Sequence, residues 1–210
     1  MKREDPMFDY LPQIIILIFS VIFHEVAHGW MALRQGDGTA RAMGRLTLNP
    51  IPHIDIFGTI ILPLILVLSG SRVMFGWAKP VPINPWNMRD PKKGEMLVSA
   101  AGPGSNLLLA VIAAVIFRIV AAIAGPQSFY ASMIIYAVAI NLVLCVFNLF
   151  PVPPLDGSHI LMHFLPREWA EKYSQLGRYG IFILFFLLYF DVLDRILYPI
   201  VSLAMVLLLS

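Results

Sequence analysis

Charge is scarce in this chain. Asp, Glu, Lys and Arg make up 13% of its 210 residues, against 59% hydrophobic. A typical soluble domain carries roughly 25% charged residues, so this sequence cannot assemble an ordinary water-facing surface. Cysteine is nearly missing too: the lone Cys145 lies in an apolar run, which excludes an intramolecular disulfide and leaves the redox compartment unread. No Gly/Ser linker, internal repeat or low-complexity tract divides the chain. The net charge of +2 is small, which gives nucleic-acid binding little support.

What the chain has instead is long apolar runs. Leu11 to Leu33, Met96 to Ala124, Ala131 to Phe150 and Gly177 to Phe190 each approach the roughly 20 residues of a bilayer crossing. The expected fold is an all-α polytopic membrane protein with about four to six membrane segments, residues 1–210 forming one membrane-embedded domain. Lys2 and Arg3 resemble the start of a signal peptide, but the apolar run continues to Leu33 without a small-residue cleavage site, which reads as an uncleaved helix.

Helix 1 is predicted over Tyr10 to Arg34, ending at the breakers Gly36-Asp37-Gly38. The alternation Arg45-Leu46-Thr47-Leu48 predicts a short strand or extended segment. Pro80, Pro82, Pro85 and Pro91 make Gly70 to Gly94 an interfacial loop, with Trp77 and Trp86 as anchors, joined later by Trp169. Arg118, in the second crossing, snorkels to the outer interface. Phe147 to Gly157 carries Pro151, Pro153 and Pro154, which interrupt backbone hydrogen bonding that lipid cannot replace. Gly177 to Phe190 is expected to cross again, and Ile196 to Leu209 fits either a crossing or an interfacial helix.

Inside helix 1 stands His24-Glu25-Val26-Ala27-His28. Two histidines four apart share one helical face and can reach one metal ion, and the glutamate between them is placed to take a proton from a water on that metal. With five His in the chain, chance would produce such a motif roughly 0.003 times. Ionisable groups at membrane depth are costly and usually functional. Zinc needs a third protein ligand, and His53, Asp55, Asp156, His159 and His163 are the candidates. Asp156 stands out because a proline-broken segment delivers it. His159 and His163, again four apart, are the rival pair, more naturally placed at the membrane surface.

If one ion binds His24, His28 and Asp156, the end of helix 1 and the end of the Ala131–Phe150 helix face the same side. Ile54 to Ser69 must then be a re-entrant loop despite its apolar character. Arg34, Arg41, Arg45, Arg72, Lys79, Arg89, Lys92, Lys93, Arg167, Lys172 and Arg178 all fall on that side, which the positive-inside rule makes cytoplasmic.

His24-Glu25-x-x-His28-Gly29, the Gly102-Pro103 pair opening a helix, and Asn148-Leu149-x-Pro151-x-Pro153-Pro154-Leu155-Asp156-Gly157 together resemble the site-2 protease family of intramembrane zinc metalloproteases. The likeness covers about Leu11 to His163. It implies that His24, His28 and Asp156 bind one Zn²⁺, that Glu25 is the general base, and that Asn148 holds substrate or the oxyanion. It also implies transmembrane protein substrates and a multi-pass protein of a prokaryotic inner membrane, with its active site toward the cytoplasm. Larger members carry a PDZ or CBS domain, for which this sequence has no room, so it resembles a minimal member.

From the residues themselves, His53 in Asn49-Pro50-x-x-His53-x-Asp55 is a further candidate for orienting substrate or donating to the oxyanion. Asn106 and Asn141 read as hydrogen-bonding partners between helices. The edge of Arg45–Leu48 would hold an unwound substrate by strand addition. Two other classes remain: a zinc-binding transporter or inactive receptor homologue, which needs no base at Glu25, and a di-iron oxidase, which needs more histidines than five.

Overall fold

The computed structural model describes residues 6–61, 64–65, 68–69 and 77–210. Its helices are α1 (Pro6–Gln35), α2 (Thr39–Ala42), α3 (Pro91–Ala124), α4 (Phe129–Asn148), α5 (Asp156–Phe164), α6 (Arg167–Gln175), α7 (Gly180–Tyr189) and α8 (Val192–Leu209). No strand forms among the described residues. Four of these helices, α1, α3, α4 and α8, are long and apolar enough to cross a membrane. The protein is an all-α integral membrane protein.

Asn106 and Asn141 tie the central three helices together. Asn106 Nδ2 donates to Asn141 Oδ1 at 2.9 Å and to the Ser20 carbonyl at 3.2 Å, and Asn141 Nδ2 donates to Ser20 Oγ at 2.9 Å. α1, α3 and α4 are thus joined by buried polar side chains that satisfy one another, as apolar surroundings require. Toward the far end, Ala110 and Ala114 of α3 pack with Val138 and Leu142 of α4, covered by Val201, Ala204, Met205 and Leu208 of α8. Arg118 Nη2 lies 3.5 Å from the Leu208 carbonyl at that end.

Two expectations about crossings meet different outcomes. α7 has only ten residues, about 15 Å at the helical rise and half the ~30 Å of hydrocarbon. Both of its ends stay near the functional end of the bundle. Gly180 abuts Pro153, and Leu184, Leu187 and Leu188 cluster with Leu155, Phe147, Phe150 and Leu193. Gly177 to Phe190 therefore does not cross; its hydropathy reports apolar packing around the proline-broken segment. The crossing is made by α8, which starts in that cluster at Leu193 and Leu197 and ends beside Arg118.

The re-entrant expectation for Ile54 to Ser69 agrees with the chain's path. After a turn of π-helix at Ile56–Ile61, Trp77 N donates to the Gly58 carbonyl at 3.2 Å and Thr59 Oγ1 to the Trp77 carbonyl at 2.8 Å. Gly58 and Thr59 therefore lie beside Trp77. Residues 62–63, 66–67 and 70–76, including Arg72, lie outside the described residues, as do Lys2 and Arg3.

The strand expected at Arg45–Leu48 does not form. Local bonds compete with pairing: Asn49 N donates to Thr47 Oγ1 and Ile51 N to Asn49 Oδ1, each at 3.1 Å, bending the chain back on itself. Strand addition at this edge loses its template. A segment with neither helix nor strand follows later, at residues 77–84. It is held at one end by Asp37, which follows α1 and accepts from Asn84 N at 2.7 Å and Asn87 Nδ2 at 3.0 Å. Burial pushes the Asp37 carboxyl up, but the hydrogen bonds from Thr39, Asn84 and Asn87 outweigh it and hold the group below the usual carboxylate value.

Candidate metal centre

α1 carries His24 and His28 on one face, both 7% exposed. At 1.5 Å per residue they stand roughly 16 and 10 Å along the axis from the Gln35 end. The facing helix α3 offers Gly102, where a Cβ would overlap the His28 ring and lie 2.6 Å from His24 Cε1. Absence of a side chain there makes the room for both imidazoles.

The outer nitrogen of each ring is fixed. His28 Nδ1 sits 2.7 Å from the Val98 carbonyl, which can only accept, so Nδ1 carries the proton. His24 Nδ1 sits 2.7 Å from Asn106 Oδ1, whose amide nitrogen is already spent on Ser20 and Asn141. Both Nε2 atoms are then bare acceptors, yet they lie 2.9 Å apart. Asp156 Oδ2 completes the cluster at 3.1 Å from His24 Nε2 and 3.4 Å from His28 Nε2. That oxygen is buried and receives no hydrogen bond.

Three electron-rich atoms converge within 4.8 Å of one another, with their protons turned away. Such a cluster repels itself unless a cation joins it. Two imidazole nitrogens and a carboxylate suit zinc, leaving its fourth position for water. The hydrogen bonds of Asn106 and Val98 to the rings are the outer contacts that set tautomer and orientation in zinc sites.

Asp156 reaches this point because the helix stops at Asn148 and resumes at Asp156. The start of α5 packs on that turn at Gly157, where a Cβ would overlap the Leu149 carbonyl. Tyr173 Oη donates to the Pro151 carbonyl at 2.7 Å, holding the segment from α6.

The remaining candidates fall elsewhere. Asp55 Oδ1 accepts from Gly58 N at 2.7 Å and closes a local turn. His159 Nδ1 pairs with Glu95 Oε1 at 3.1 Å, an interaction that raises the imidazole above its usual value. His163 Nδ1 lies 3.3 Å from the Lys92 carbonyl. His53 is 2% exposed, with Nε2 at 2.9 Å from the Thr47 carbonyl; it holds the loop and does not join the cluster. Asn148 Nδ2 donates to the Leu144 carbonyl of its own helix. Glu25 Oε2 accepts from Val81 N at 2.8 Å. That contact with the 77–84 segment has no counterpart in the sequence analysis, nor has the bond between Asn106 and His24. The spacing Gly102-x-x-x-Asn106, one face of one helix, was the signal for the latter.

The sequence pattern of peptidase family M50 matches residues 12–128 and 119–189. The chain belongs to peptidase family M50. These are the site-2 proteases, and membership makes this M50 chain a zinc metalloprotease of the membrane. It is 41% identical over 199 residues to the protein named "Putative zinc metalloprotease YwhC" of Bacillus subtilis, covering 90% of this chain and 85% of that one. It is 28% identical over 179 residues to the one named Rip2 of Mycolicibacterium smegmatis, covering 85% and 66%. The Rip2 of Mycobacterium tuberculosis H37Rv is 27% identical over 168 residues, covering 80% and 62%. No solved structure matches the chain significantly.

Two consequences are measurable. Asn106→Ala removes the acceptor for His24 Nδ1–H, and zinc affinity is expected to fall about 10- to 100-fold, read by competition with a chromogenic chelator. Gly102→Ala drives a methyl group into the His28 ring, and the same assay is expected to show at least as large a loss.

Proposed function

We propose that the protein is an intramembrane endopeptidase, cutting a peptide bond within or beside a transmembrane segment of another membrane protein. In this reading His24, His28 and Asp156 hold the zinc, Glu25 is the general base, and residues 1–210 act as one membrane-embedded domain. The observation that carries it is the position of the ligand cluster. It lies well inside α1, a helix long and apolar enough to cross a membrane, with Leu11, Ile14, Ile15, Ile18 and Phe19 exposed along it. A soluble peptidase gains nothing from that placement; an enzyme whose substrate is a membrane helix needs it.

Bound zinc supplies a Lewis acid that polarises the scissile carbonyl and makes water acidic near neutral pH. Glu25 accepts the proton through the oxygen that Val81 leaves free, then returns it to the leaving amine. Asn106 and the Val98 carbonyl keep both imidazoles turned toward the reacting centre. Asn148 can serve the oxyanion when its amide leaves the Leu144 carbonyl. His53 is assigned to holding the loop. A cleft of about 400 Å³ lined by Lys92, Glu95, His159, His163 and Arg167 lies on the side of α5 that also carries His159, one helical turn beyond Asp156.

The cationic residues Arg34, Arg41, Lys79, Arg89, Lys92, Lys93, Arg167 and Lys172 gather at the site's end of the bundle, which supports a cytoplasmic orientation in a prokaryotic inner membrane. The test is cleavage of single-span membrane proteins by the purified chain in detergent. Cleavage that stops with chelator and returns with added zinc is the expected result. Cleavage of soluble unfolded protein at equal rate would oppose an intramembrane role.

A further inference from the structure

Residues 77–84 form neither helix nor strand and pass the face of α1 that carries Glu25. In Lys79-Pro80-Val81-Pro82 two prolines remove their N–H groups, so Val81 owns the one donor between Lys79 and Ile83. That donor goes to Glu25 Oε2. The Val81 side chain, 5% exposed, seals against Gly29, where a Cβ would come within 2.8 Å of Val81 Cγ1 and 2.6 Å of Leu46 Cδ2.

The strap is pinned from its other edge by Arg45. Its Nη2 donates to the Lys79 carbonyl at 2.8 Å and the Pro80 carbonyl at 3.1 Å. Lys79 N donates to the His53 carbonyl at 2.9 Å. Arg45 is 7% exposed, has no carboxylate within ion-pair distance among the described residues, and its Nε is buried without a hydrogen bond. Burying a guanidinium without a counter-charge is unfavourable. An apolar residue would burden the fold less, so the grip on the two carbonyls points to a role beyond packing.

We propose that Arg45 is a positioning residue for proteolysis: by gripping the carbonyls of Lys79 and Pro80 it sets the Val81 N–H that fixes the Glu25 carboxylate. With Oε2 anchored, the group loses a rotation it would otherwise have to freeze in the transition state, and Oε1 is left to take the proton. Small displacements of a reacting group are worth large factors in rate. The proposal rests on Glu25 being the base.

The experiment uses the full chain in detergent, with zinc content, thermal stability, kcat and KM measured on one transmembrane substrate. Arg45→Met is expected to lower kcat about 10- to 100-fold, with KM within about twofold and one zinc per chain. Arg45→Lys, whose ammonium can donate to both carbonyls, is expected to recover most of that loss. Val81→Pro deletes the donor without touching Arg45 and should reproduce the kcat loss, which keeps the test open if Arg45→Met folds poorly. Wild-type kcat in Arg45→Met or Val81→Pro overturns the proposal. So does a loss that tracks zinc or stability, or that Arg45→Lys shares in full. A rise in kcat would overturn it in another way, marking the strap as an obstruction. Glu25→Gln in the same assay separates the two readings: if it still turns over, the base assignment fails whatever Arg45 does.

Discussion

The Asp156→Ala protein is expected to lose zinc and proteolysis together. Asp156 is the one carboxylate in the cluster, and its buried Oδ2 has no other partner. Removing it leaves two bare imidazole nitrogens 2.9 Å apart without the charge that makes a cation welcome. Loss of an outer partner of a zinc ligand already lowers affinity about 10- to 100-fold, so loss of a ligand should exceed 100-fold. Metal analysis of the purified protein reads the first effect and substrate cleavage the second. Asp156→Asn keeps shape and loses charge; it should fall with Asp156→Ala. A variant that kept its zinc would move the third ligand elsewhere, with His159, three residues along the same helix, the next candidate.

Glu25→Gln is expected to separate the two properties. Glu25 is bonded to Val81 and contributes no atom to the three-residue cluster. Glutamine keeps an oxygen for the Val81 N–H, so the strap and the zinc should both survive. What it lacks is the ability to accept a proton, a role worth roughly 10²–10⁴ in rate. One zinc per chain with that loss of kcat is the expected result, measured on a membrane substrate. A zinc transporter or an inactive receptor has no use for the base, and its function would pass through Glu25→Gln unharmed.

Much of this was legible in the sequence for simple reasons. Apolar runs long enough for lipid became α1, α3 and α4, because nothing else can satisfy backbone groups there. The His24–His28 spacing and the proline-broken delivery of Asp156 pointed to one cluster, and the geometry brings those three together. Hydropathy failed at Gly177 to Phe190 because it measures oiliness without saying where the two ends sit. The apolar face of α7 serves Leu155 and Phe150. Alternation failed at Arg45–Leu48 because Thr47 and Asn49 hydrogen-bond locally.

Arg45 itself was counted as a topology charge, since sequence cannot tell a solvated arginine from one buried against carbonyls. Val81 was invisible for a related reason: its contribution is a backbone N–H, and only the flanking Pro80 and Pro82 hint that this donor is special. Asn106 was legible as a polar residue between helices, while its partner His24, 82 positions away, was not.

The most direct test is to map the bond that is cut. Purified chain, loaded with one zinc, would be incubated in detergent or liposomes with a single-span membrane protein, and the products sequenced by mass spectrometry. The account predicts cleavage within or at the edge of the apolar segment, abolished by chelator and by Glu25→Gln. Cuts confined to water-exposed loops, or cuts that persist in Glu25→Gln, would contradict it.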